Sequence, residues 1–241
     1  MLFRTARRLP VARTFPLKCC STVATSDVKN QFMEVATRLW VERFVMGQGM
    51  CPWAGGVLVG EKLRIRTLRG DGETDTSILQ LCEDIIFETK ILYDNEDGDI
   101  AETRTTLIVL PDFTDFEKFL ELVDIVEGLF EKEDIDEYLQ LAHFHPNYIF
   151  ADSTNPEDEI ENYTNRSPFP VLHLLRVDEV SDAIDSYGDT STIWKNNKVT
   201  LRKLGLTKVK ALAAKILVDA ENEIKNNNGV RVNSVEFLSK D

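Results

Sequence analysis

All three histidines of the chain fall within 31 residues, at His143, His145 and His173. His143 and His145 stand two apart in Tyr138–His145, a stretch with strand character, so their side chains leave one face of that strand. Two imidazoles so placed can present nitrogen to a metal, with His173 on a neighbouring strand as a third ligand, and His145, His173 and Cys51 are the other candidate set. No carboxylate or cysteine stands at a fixed offset to complete the set, and His173 sits among Val171, Leu172, Leu174 and Leu175. A lone histidine in such a run is more often a hydrogen-bonded core residue than a ligand. His145 closes its strand just before a long loop, at the strand end where open α/β sheets usually hold ligands.

Cys51 is the one cysteine with the setting of a nucleophile. It lies between a Gly-rich break and Pro52, and if Pro52 opens a short helical turn, Cys51 is its N-cap and the free backbone donors favour a thiolate. Paired with His145, it would be a nucleophile with its base. The bland reading makes Cys51 a small buried residue under Trp53. Cys82, among Leu81, Ile85 and Ile86, reads as core. Cys19 and Cys20 lie in the N-terminal segment described below, and no CxxC or disulfide framework is present.

The loop Asn147–Pro170 has neither helical nor strand period, and a loop that long is usually functional or disordered. Its stretch Glu161-Asn-Tyr-Thr-Asn-Arg-Ser-Pro168 is dense in hydrogen-bonding side chains. Arg166 can grip a carboxylate or phosphate, and Asn162, Asn165 and Ser167 can orient a small anion. The competing reading is a loop that satisfies itself, with Asn and Ser capping turns and Arg166 paired to an acid such as Glu161. The sequons at Asn162 and Asn165 are read as coincidence.

The elements that must position these groups follow from periodicity. A helix is expected from Ser26 or Asp27 to Met46, stopped by Gly47 and Gly49. Lys62–Arg69 alternates apolar and basic residues, as an edge strand does. A helix over Asp75–Tyr93 precedes Thr105–Leu110, a continuous apolar run expected of a strand buried on both faces. Thr114 and Glu117 form a capping box for the next helix. Val171–Arg176 reads as a fourth strand, and three helices follow at about Asp178–Tyr187, Thr190–Leu204 and Thr207–Asn226, then a polar tail over 227–241. The alternation implies an α/β domain over residues 27–226, with α+β as the alternative. Its core is a mixed sheet of about four strands under helices.

Composition limits the partners. Residues 1–26 hold Arg4, Arg7, Arg8, Arg13 and Lys18 and no acid, the signature of an organelle presequence, with the mitochondrial matrix expected and the plastid stroma as the alternative. Without those five, 23 basic side chains face 41 acidic ones, a net charge of −18. So acidic a surface repels nucleic acid and anionic membranes. No apolar run reaches about eighteen residues, so no membrane-spanning helix is expected.

Several of these segments together resemble one family, catalogued as domain of unknown function 1415. They are Arg38-Leu-Trp-Val-Glu-Arg-Phe-Val45, Cys51-Pro-Trp-Ala54, Phe144-His-Pro-Asn-Tyr-Ile-Phe-Ala151, Glu161 through Pro170, and Leu172-His-Leu-Leu-Arg176, spread over roughly residues 28 to 205. The resemblance implies no particular reaction or cofactor. It directs attention to Cys51, His145, Tyr148, Asn162, Asn165, Arg166, His173 and Arg176, and so adds Tyr148 and Arg176 to the residues expected to bind substrate. His143 stands where the family typically has a small polar residue, which weakens the two-histidine metal reading, and Trp53 replaces a usual phenylalanine. The acidic residues 157–159 and the helix beyond about 206 are less typical. Three functions follow as expectations: an enzyme on a small anionic metabolite with Cys51 and His145, a non-catalytic ligand or partner binder, or a His/Cys metal protein.

Overall fold

A computed structural model describes residues 25–58, 62–70, 72–93, 103–151, 153 and 159–228. Helix α1, Thr25–Trp40, buries Val28, Phe32, Met33, Ala36, Leu39 and Trp40 along one stripe. It runs on into a π-helical turn, Val41–Met46, where Gly47 N–H donates to Glu42 O (3.1 Å) and Met50 N–H to Val45 O (2.7 Å), five residues back. The one expected helix is thus two geometries in series. Gly49 ends it at φ 67°, a left-handed conformation that glycine adopts without strain.

After a short α2 (Ala54–Leu58) come β1 (Leu63–Thr67), α3 (Asp75–Tyr93), β2 (Thr105–Val109), α4 (Phe116–Lys132), β3 (Leu139–Phe144), α5 (Glu159–Asn162), β4 (Val171–Arg176), α6 (Val177–Tyr187), α7 (Ser191–Leu204) and α8 (Leu206–Asn228). The four strands form one mixed sheet in the order β1-β2-β4-β3. β1 and β2 are parallel, and β4 is antiparallel to both of its neighbours. This is the expected α/β architecture. β2, the continuous apolar run, is buried throughout, and β1, the alternating one, is an edge.

Strand pleating sorts the core into two layers. Leu107, Val109 and Val171 pack with α1 and α8 on one face. Ile108, Leu172 and Leu174 pack with α3 and α4 on the other. Arg64 turns to this second face and meets the buried carboxylate of Glu88 on α3 through two hydrogen bonds, 2.7 and 3.1 Å.

Three local expectations shift. The cap of α4 is Asp115, whose extended backbone (φ −78°, ψ 127°) lets its carboxylate accept from the N–H groups of Glu117 and Lys118. Thr114 is not the cap. The long loop holds the short helix α5, and α8 continues to Asn228, two residues into the expected tail. Of the expected presequence, residues 1–24 lie outside the described residues, as does 229–241.

Candidate functional site

Strand register builds the floor of a cavity. Leu63, Thr105, Leu175 and Gln140 stand side by side across the four strands, and Leu107, His173 and Ala142 form the next row on the same face. Helices α1 and α8 pack on the rows toward Val109 and Val171 and leave this end of the sheet to other elements. Trp40, Val41 and Val45 form one wall, and the segment around Cys51, Trp53 and Ala54 forms another. Helix α6 closes the top with Val180 and Ala183, and its Tyr187 ring meets Trp53 edge-on at 5.5 Å. No residue of α6 is itself fully buried. The cleft holds about 380 Å³, the size of a small-molecule site. It opens where the parallel strands begin, the opposite end from the one expected for an open α/β sheet.

The lining is mostly carbon, so its few polar groups stand out. Thr105 Oγ1 donates to Leu174 O at 2.8 Å, and His173 Nε2 lies 2.6 Å from the same oxygen. A hydroxyl has one proton, so His173 carries its proton on Nε2 and donates it to Thr105. Burial drives the His173 pKa from 6.5 to about 4, so the ring is neutral at physiological pH. The indole of Trp40, 5% exposed, is packed edge-on against Phe144 at 5.1 Å, and its N–H has no hydrogen-bond partner among the described residues. At one end Arg104 and Arg176 share the single carboxylate of Glu179, at 3.6 and 3.9 Å. Arg176 also donates through Nη2 to Leu92 O. Two guanidiniums against one carboxylate leave that end with one net positive charge.

His145 is elsewhere. It is fully buried on the opposite face of the sheet, between the rings of Phe116 and Phe119. Both ring nitrogens are engaged: Nε2 donates to Phe113 O (3.0 Å) and Nδ1 accepts from Asn147 N–H (3.0 Å). Burial lowers its pKa, as it does that of His143 nearby. The expected Cys51–His145 nucleophile and base therefore do not meet, because Cys51 lines the cavity on the other face. The same separation divides His173 from His143 and His145, since His173 is registered beside Ala142 and His143 beside Leu172. The expected His145, His173, Cys51 ligand set is not assembled, and among the described residues no group of three His, Cys, Asp or Glu side chains is placed to hold a metal.

The loop residues are engaged with the loop. Asn162 accepts from Phe150 N–H at 3.1 Å and donates to Ser153 Oγ at 3.3 Å. The carbonyl of Asn165 accepts from His145 N–H at 3.2 Å. Arg166 Nε donates to Tyr148 O at 3.1 Å, its guanidinium lies 4.9 Å over the Tyr163 ring, and its acid partner is Glu159 rather than Glu161. Ser167 Oγ donates to Phe169 O, and the ring of Tyr148 packs on Phe116 and Phe150. Of the residues expected to bind substrate, Arg176 lines the cavity beside Cys51 and His173, and Asn162 lines a second, polar basin against α7.

The family model described as "Protein of unknown function (DUF1415)" matches residues 33–211, most of the chain. The chain belongs to the DUF1415 family. Searches of the curated proteins and of the solved structures return no match.

The DUF1415 match runs from the middle of α1 into α8, so it contains the whole lining of the cavity. Sequence reasoning on this DUF1415 chain missed Trp40, Arg104, Thr105, Gln140, Ala142 and Glu179 as site residues. Trp40 carried a signal, since it lies inside a motif segment. Ala142 carried a weaker one, as the small residue of an otherwise bulky strand. Arg104 and Glu179 are ordinary surface charges until the strand ends and α6 converge.

Proposed function

We propose that this protein binds a small organic anion with an apolar body in the cavity between the sheet and α6. The observation that carries this reading is the lining itself: an almost wholly carbon wall whose one polar end holds Arg104 and Arg176 against Glu179. An apolar body gains from leaving water for that wall, and an anionic head gains from the unbalanced positive charge.

The test is calorimetric titration with matched pairs of medium-chain or aryl-alkyl carboxylic acids and their alcohols. The acid is expected to bind about tenfold more tightly than its alcohol, Arg104→Gln to erase that preference, and Ala142→Phe to abolish both. Equal binding of acid and alcohol would remove the anionic part of the reading, and no binding of either would remove the site.

A second reading has one observation in its favour. Cys51 and His173 share the cavity, which suits an enzyme with a thiol nucleophile. A histidine whose pKa is about 4 is a weak base near neutrality, and binding is therefore preferred over catalysis. Turnover of a thioester or ester of a bound acid, lost on Cys51→Ser, would reverse that order. The arginine-rich, acid-free first 26 residues support a place in the mitochondrial matrix, with the plastid stroma as the alternative. Import of a reporter fused to that segment tests it.

A further inference from the structure

Helix α7 departs from the charge of the rest of the chain. It carries Lys195, Lys198, Arg202 and Lys203 and no carboxylate, in a protein with 41 acidic and 28 basic residues. Lys195, Lys198 and Arg202 line a basin of about 440 Å³ together with Trp194, and the facing wall includes Asn162, Ser153 and Glu161. The basin is separate from the cavity under α6 and shares no lining residue with it.

Two of the three cations are already gathered round an anion. Lys198 Nζ lies 2.6 Å from one oxygen of Glu161 and Arg202 Nη2 lies 2.5 Å from the other, and Glu161 is buried. The helix thus presents a lysine and an arginine, one turn apart, in the convergent geometry that a tetrahedral oxyanion also requires. Glu161 balances one of the three charges, which leaves two in excess among the described residues that line the basin. Arg202 is largely exposed and commits one N–H to Glu161, which leaves further donors of its planar fork for a ligand.

Beside these cations stands an aromatic ring open to solvent. Trp194 is 51% exposed, with Lys198 Nζ 4.9 Å and Lys195 Nζ 5.7 Å from its ring centre. A bare indole beside a cluster of cations is the pairing that holds a planar base and its phosphates together, the ring by stacking and the phosphates by charge.

We propose that this basin is a mononucleotide site, with the phosphates on Lys195, Lys198 and Arg202 and the base on Trp194. A single nucleotide is compatible with the acidic surface that disfavours long nucleic acids, because its charge is met locally within a Debye length of about 8 Å. The ligand class follows from both halves of the basin, since inorganic phosphate would use the cations and leave the ring idle.

Calorimetry on the full chain in EDTA, with ADP and with inorganic pyrophosphate as probes, tests this. ADP is expected to bind about tenfold more tightly than pyrophosphate. Trp194→Ala should remove that advantage and leave pyrophosphate unchanged, the low end of what stacking on an aromatic contributes. Lys195→Glu should weaken both ligands about tenfold, and it is the safer charge variant because Lys198 and Arg202 also neutralise buried Glu161. Ala142→Phe, which fills the other cavity, should change neither, so failure here and failure of the organic-anion reading are separable. Equal binding of ADP and pyrophosphate, indifference to Lys195→Glu, or no binding at millimolar ligand would each overturn the proposal. Binding of an acidic peptide in place of ADP would also overturn it and make α7 a protein-docking face.

Discussion

Thr105 holds His173 in one tautomer. Its hydroxyl proton is committed to the carbonyl of Leu174 at 2.8 Å, so its oxygen can only accept from His173 Nε2, 2.6 Å away. The bond joins adjacent strands β2 and β4 inside the cavity floor. Burial keeps the imidazole neutral, and the bond leaves its second nitrogen an acceptor.

The pH dependence follows with a definite sign. His173 takes its proton near 6.5 in the unfolded chain and near 4 in the folded one. Between those values the unfolded state binds more protons, so the stability His173 contributes is full above about pH 6.5 and fully lost below about pH 4. The loss is on the order of 2 kcal/mol, discounted because the cavity admits some solvent to the ring. His143 and His145 are shifted the same way by burial and add to the slope. Urea unfolding at several pH values should show wild-type stability falling with acid more steeply than that of His173→Gln. Equal slopes would mean that His173 is not held neutral.

Thr106, next along β2, points to the α3/α4 face, fully buried, and its hydroxyl has no hydrogen-bond partner among the described residues. Desolvating a hydroxyl without a partner costs free energy, and valine fills nearly the same space without it. Thr106→Val is expected to stabilise the protein by about 1 kcal/mol in chemical denaturation. A destabilised variant would reveal a partner for that hydroxyl.

Arg64 matters for what it neutralises. Glu88 is 2% exposed, and Arg64 supplies both of its hydrogen bonds while Arg66 stands 3.6 Å off. Arg64→Leu leaves a buried carboxylate with one distant counter-charge and should cost about 3 kcal/mol, whereas Arg64→Leu with Glu88→Leu should recover most of it. A single variant as stable as wild type would show that Arg66 alone suffices.

The two cysteines of the folded domain should separate by place. Cys51 is partly accessible in the cavity, whereas Cys82 is buried in α3 and its thiol is pushed up by that burial. N-Ethylmaleimide should modify Cys51 first by at least about tenfold, and an acid that occupies the cavity should slow it. Mass spectrometry of the modified peptides reads both effects. Faster labelling of Cys82 would place Cys51 outside the cavity wall.

Much of the scaffold was legible because it depends on neighbours in sequence. Thr105–Leu110 had to be central, since only a strand covered on both faces is apolar at every position, and Leu63–Thr67 with its alternating arginines had to lie at an edge. The α4 cap was misplaced by one residue. Thr114 and Asp115 are both good caps, and the choice was made by the backbone torsions of Asp115. His143 and His145 share a face, as their spacing required, and both do turn toward Phe119.

The spacing of residues within each element was enough to determine the long helices, the strands and the side on which each strand's alternate residues fall, but not the π-helical turn or the short α5. Whether the odd residues of β4 face the same way as those of β3 is a different question, decided by the pairing of Ala142 with His173 across 31 positions of chain. That pairing put His173 in the cavity with Cys51 and sent His145 to the opposite side, while Arg176 reaches the cavity from the end of β4. The reason is physical: pleat parity is local to one strand, whereas relative register is set by which face of the whole sheet each helix buries. A shift of one residue would exchange the two faces, and no segment read alone carries that information.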